Sequence, residues 1–215
     1  MSERPTPELG GERLKEKSKE EFYTQKRWTN WMNKVKESKF ELTDSEQDAT
    51  GAVFVYIMDD VVLACLKVIA RKEKNLITQE EAFAALRIIQ EIVSSEHESL
   101  GQDADMMLES LQTALFAVFI SCQRYLEGDY DQQTRLADLV EQARQAEGEE
   151  RIDDCLGLVG SLGARVIGGE KLPELPEMPY SMVAELMDGV DAIAAAMMGD
   201  DSYKEEDGSD LGDEA

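Results

Sequence analysis

Apolar residues recur along this chain at intervals of three and four, the spacing of one helix face, and nowhere alternate with period two long enough for a strand. The first such segment runs from Phe22 to Ser38, with Trp28, Trp31, Met32 and Val35 on one side. Thr43 followed by Glu46 has the form of a capping box, and the helix it opens is predicted to reach Lys74. The apolar residues of that helix (Phe54, Ile57, Met58, Val61, Val62, Cys65, Val68 and Ile69) occupy most of its circumference, which marks a central element. Thr78 with Glu81 forms a second capping box and starts a third helix, with Phe83, Leu86, Ile89 or Gln90, and Val93 on one side. Gly101 interrupts the pattern, and a fourth helix is predicted from Asp103 to a glycine stop at Gly128. Its broad stripe includes Met107, Leu108, Leu111, Leu115, Val118 and Cys122, so it is a second central helix, neighbouring the helix from Thr43. Segments Thr134–Ala146, Ile152–Ile167 and Ser181–Met198 complete the set. Between the last two, residues 171–179 place proline at every third position, which suits an extended polyproline II connector.

The pattern therefore predicts an all-α fold: a compact bundle of about seven helices forming a single domain over residues 20–199. Residues 1–19 are polar and broken by Pro5, Pro7, Gly10 and Gly11, and residues 200–215 are an acidic tail; both are expected to be disordered. With 42% hydrophobic residues the 215-residue chain can bury a substantial core.

Charge narrows the function classes. The net charge is −24, yet residues 1–40 carry ten bases against seven acids, so the remaining 175 residues carry −27. Such a surface repels phosphate and anionic lipid, so neither free nucleic acid nor a membrane leaflet is an expected partner. No uncharged apolar run has the length of a membrane span, and the polar N-terminal stretch does not read as a signal peptide. Three cysteines do not make a disulfide framework, and the expected location is the cytoplasm. The acidity reads in two ways, as hydration in a salty cytoplasm or as recognition of a basic partner.

Little catalytic chemistry survives a count of residues. A single histidine, His97, cannot supply a di-iron site of the usual Glu-x-x-His kind, and its position predicts a partner at a helix end. Cys65, Cys122 and Cys155 are far apart in sequence and each lies on an apolar stripe, so they are expected to be buried, reduced core residues rather than zinc ligands. No metal or cofactor is expected. Gly157, Gly160 and Gly163 form G-x-x-G-x-x-G inside a helical pattern, without the preceding strand of a dinucleotide site. Each costs about 1 kcal/mol of helix stability relative to alanine, which close approach of another helix would offset. Asp138 and Glu141, then Glu150 and Asp153, are carboxylate pairs at spacing three, able in principle to share Mg²⁺. Their layout resembles all-helical nucleotide pyrophosphatases, with two departures: the first pair begins with Asp, and the pairs lie close together. These four residues carry the alternative, enzymatic reading.

Two further features bear on binding. Asp59 and Asp60 lie in an otherwise apolar helix; Asp60 shares a face with Lys67 and Arg71, Asp59 sits at the apolar boundary, and a carboxylate there needs a partner. An internal salt bridge, a cap on another helix's N-terminus or a buried polar site accounts for them. Lys26, Arg27 and Lys34, interleaved with Trp28 and Trp31, are partner-binding candidates, although one amphipathic face also suits packing on the acidic bundle.

The segments at 22–42 (FYTQKRWTNWMNKVKESKFEL), 58–69 (MDDVVLACLKVI) and 109–128 (ESLQTALFAVFISCQRYLEG) together resemble an archaeal family of acidic, helical proteins of unknown function found in methanogens and halophiles. The resemblance covers about residues 20–170 and implies an archaeal cytoplasm; it carries no catalytic residues. The reading that results is a non-enzymatic interaction or regulatory module for a protein or ribonucleoprotein partner.

Overall fold

The computed structural model describes residues 21–42, 49–174 and 178–199. Among them are seven α-helices and no strand: α1 (Gln25–Ser38), α2 (Ala52–Glu73), α3 (Gln79–Val93), α4 (Gln102–Glu127), α5 (Leu136–Gly148), α6 (Ile152–Ile167) and α7 (Met182–Met198). The fold is the all-α bundle that the periodicity predicts. The Thr43–Glu46 capping box, the 1–19 segment and the acidic tail lie outside the described residues.

Most helix ends follow local chemistry. Thr24 caps α1 by accepting from the Arg27 amide at 3.0 Å. Thr78 and Glu81 exchange both bonds of the expected capping box. Gly128 closes α4 in the left-handed region, at φ 70°. Two boundaries differ from expectation. The second helix is not continuous from Thr43, because a 3₁₀ turn at Ala49–Gly51 precedes Ala52. The fifth begins at Leu136 rather than Thr134, because Asp131 draws Thr134 into a turn: its carboxylate accepts from the Gln133 and Thr134 amides and from the Thr134 hydroxyl.

α4 is the axis of the bundle. It packs against α6 and α7, and against α2 and α3 on its other side, while α5 covers α6. The two broadly apolar helices, α2 and α4, are neighbours as their side chains require. α4 is also long and apolar enough to cross a membrane, but half of that stretch is buried against other helices here, as in a core helix. Cys65, Cys122 and Cys155 are free and fully buried. Burial pushes the Cys65 thiol well above its usual pKa, and Cys122 beside it adds to the effect.

The glycine spacing is explained by helix contact. A methyl at Gly163 would overlap the Ser121 side chain, its Cβ only 2.6 Å from Ser121 Cβ, and one at Gly160 would run into Ile120. Gly157 is looser, with ordinary contact to Arg124 at 3.5 Å. The close approach to a backbone lies elsewhere: a Cβ on Gly189 of α7 would sit 2.8 Å from the Ala114 carbonyl carbon and closer still to its oxygen, so the α7 and α4 backbones nearly touch there. A second inter-helix device is Glu147 of α5, whose carboxylate accepts from the Met182 amide at 2.7 Å and so caps α7 alongside Ser181.

Candidate functional site

α1 lies on the outside of the bundle, resting on α2 with a lesser contact to α3. The centre of that contact is Asp60, whose side chain is 13% exposed. Arg27 grips it with two bonds, Nε donating to Oδ2 at 3.0 Å and Nη2 to Oδ1. The Trp31 indole Nε1 donates to the same Oδ2 at 2.7 Å. A desolvated carboxylate is thus satisfied by one cation and one neutral donor, both from α1. Of the origins open to this residue, the internal ion pair is the one formed. Its partner is Arg27 because α1, and not solvent, covers that side of α2.

Around this anchor the aromatic side chains divide. Trp28 and Tyr23 are buried, at 1% and 2% exposure. Tyr23 lies beside the Asp60 carboxylate, and burial first, then that negative charge, push its phenol well above the usual tyrosine range. Its hydroxyl stops short of hydrogen-bond geometry, and the Trp28 indole N–H likewise has no partner. Trp31 is only partly buried, with the Lys34 ammonium over its ring at 4.2 Å. The Arg27 guanidinium carbon lies 5.3 Å from the Tyr23 ring centroid. Lys26, Arg27 and Lys34 are exposed. Of the five partner-binding candidates, Trp28 is therefore a core residue with no surface to offer, and the other four remain at the rim.

Asp60 also marks an edge on α2. Its neighbours one turn away on one side, Ile57 and Ala64, are buried. On the other side Tyr56 is 59% exposed and Leu63 39% exposed, with Val55 at 59%. These three and Asp59 fall within about 100° of arc, so they form one open strip. Asp59 itself is exposed, not partly desolvated as its boundary position predicts, because nothing among the described residues covers that arc.

The four carboxylates of the enzymatic reading do not gather into a group of three or more that could hold a metal ion. Asp138 accepts a bidentate pair from Arg135, both bonds at 2.7 Å, which holds its carboxyl below the usual range. Glu141 pairs with Arg144 at 3.2 Å. Glu150 sits in the turn between α5 and α6, at φ 57°. Asp153 lines a shallow cleft of about 340 Å³ between α4 and α6, with Arg124, Glu127, Gln123 and Gly157. Among the described residues no group of three or more His, Cys, Asp or Glu side chains is placed to hold a metal ion. His97 stands in the loop after α3, beyond the helix end, and its Nδ1–H donates to the Glu98 carbonyl at 2.9 Å.

A family model described as "uncharacterized protein conserved in archaea (DUF2150)" matches residues 21–206. The chain belongs to this family. The match spans α1 through α7 and so reaches beyond the segments that carry the resemblance, which already hold the Asp60 junction, to take in the Gly189 crossing. No curated protein matches the DUF2150 chain, and no solved structure does.

The pairing of Arg27 and Trp31 with Asp60 spans 33 and 29 residues of sequence. The only signal for it in the sequence is an acid in an apolar helix and an unmatched basic, aromatic helix elsewhere.

Proposed function

We propose that this protein is a non-enzymatic interaction module whose binding face is the open strip of α2 with the adjoining rim of α1. The observation that carries the reading is the exposure of Val55, Tyr56 and Leu63 together on a helix whose other apolar residues are mostly buried. Exposed apolar side chains gathered on one face, rather than scattered, mark contact surfaces. Tyrosine and tryptophan at such a rim supply large contact area at low entropic cost. Asp59 within the strip, and the exposed Lys26 and Lys34 on α1, give a surface of mixed charge that suits a protein or a ribonucleoprotein's protein component better than bare phosphate.

Affinity purification of the tagged chain from native cells at two salt concentrations, against a Tyr56→Ser/Leu63→Ser double variant, tests the proposal. Both side chains are exposed, so the variant keeps its fold, and the expected result is specific loss of the co-purifying protein. Recovery of the same proteins with both chains removes the strip from consideration. Incubation with nucleoside triphosphates and Mg²⁺ addresses the enzymatic reading directly: turnover abolished by Glu150→Ala would replace the present proposal.

A further inference from the structure

We infer that α1 is a releasable strap, fastened to the bundle at Asp60 and hinged at Lys39, that swings away while the remaining helices stay folded. Four independent observations converge on it. First, α1 rests on α2 with only a minor contact to α3 and reaches the core through the buried residues Trp28, Met32 and Val35 alone, with Tyr23 just before it, whereas α4 packs against α2, α3, α6 and α7. Second, its docked state keeps two polar atoms, Tyr23 Oη and Trp28 Nε1, buried without partners. Water satisfies both when the strap lifts, so the docked state alone bears that penalty. Third, Lys39 stands immediately after α1 at φ 51°, a left-handed conformation that is uncommon for a residue with a side chain. Fourth, the chain just beyond Lys39 is held independently. The Phe40 ring packs edge-on against Phe54 at 5.0 Å, and the Leu42 amide donates to Asp103 of α4 at 2.9 Å. A swing about Lys39 therefore leaves those anchors in place.

The electrostatics set how tightly the strap is held. α1 carries four bases and one acid, and lies on a chain whose net charge is −24. That attraction is partly solvent-exposed, with Arg27 46% exposed at the anchor, so added salt weakens it. Lifting α1 uncovers the part of α2 on which it rests, around Asp60. The strap is thus a removable cover on α2, and its release is a property of the chain whether or not the open strip binds a partner.

The chain's two tryptophans are both on α1, so intrinsic fluorescence reports its docking alone. The full-length protein is titrated with urea while tryptophan emission and far-ultraviolet circular dichroism are followed together. The expected result is a red shift of emission at lower urea than the loss of helical signal. Asp60→Asn moves the emission transition to still lower urea and leaves the helical transition in place, and raising NaCl does the same to the wild-type emission transition. Coincident transitions in wild type and variant, or a joint shift of both signals in Asp60→Asn, place α1 in the cooperative core and overturn the inference. Emission typical of water before any urea is added overturns it as well, because no docked strap then exists.

Discussion

Gly189 is the position where the smallest change should have the largest effect. A methyl there meets the Ala114 backbone carbonyl, which cannot rotate aside as a side chain can. Overpacking of a tight core typically costs about 1–3 kcal/mol, and a clash with backbone belongs at the top of that range or beyond. Gly189→Ala should lower the thermal midpoint by many degrees, whereas Gly157→Ala, with room at 3.5 Å, should leave it near wild type or raise it; calorimetry of the two variants checks the contrast. The tryptophans divide in the same way. Trp28 is 1% exposed and its truncation to alanine should weaken the docking of α1 by about 3–5 kcal/mol, read from the emission of the remaining tryptophan, while truncating Trp31, partly open, should cost less. Denaturant titration of the two alanine variants gives the order, and a costlier Trp31→Ala would contradict the packing described here. Cys65, Cys122 and Cys155 should resist an aqueous thiol reagent until denaturant is added, since each is fully buried.

Among the elements, the entry to α5 depends on a single carboxylate. Asp131 accepts three bonds, from the Thr134 hydroxyl and from the Thr134 and Gln133 amides, which hold its pKa at about 2. Its unfolded value is about 3.9, so the folded state binds this proton less readily than the unfolded chain does. The stabilisation is therefore present above about pH 4 and is lost as pH falls through about 2. Asp131 titrating near pH 2 by NMR, together with a weaker acid dependence of stability in Asp131→Asn, is the expected outcome. α7 shows the opposite sign. The Asp188 carboxyl is raised by desolvation, then by Asp191 and Glu185 nearby, so its charged form works against folding at neutral pH. Asp188→Asn should raise the thermal midpoint at pH 7, and the gain should shrink as pH falls toward the carboxylate range.

For the whole molecule, the uneven charge distribution makes salt act in two directions. Self-repulsion among 46 acids facing 22 bases destabilises the compact state, and screening relieves it. The attraction of α1 for the bundle is screened by the same ions. Raising NaCl should therefore move the helical unfolding transition up while moving the tryptophan emission transition down. Urea titrations at several salt concentrations show whether the two responses diverge. Parallel responses would mean that the charges of α1 and of the bundle do not act separately.

How much of this was legible in the sequence follows from the range of each interaction. Helix positions, the Thr78–Glu81 capping box, the Gly128 stop and the burial of all three cysteines rest on residues within a turn or two of one another, so periodicity and capping chemistry reveal them. The need for close approach at Gly160 and Gly163 was visible as an unexplained cost to a helix, but not the surface they approach. Everything that joins distant segments was decided by the tertiary structure. Asp60 paired with Arg27 and Trp31 of α1 rather than with a cation of its own helix, Glu147 capped α7, and the glycine pressed against another helix's backbone proved to be Gly189, which stands in no motif. The division of α2 into a covered side and an open strip belongs to the same class. Helical period places Val55, Tyr56 and Leu63 on one arc, but only the packing of the neighbouring helices determines that the arc stays in water, because burial depends on what arrives from elsewhere in the chain.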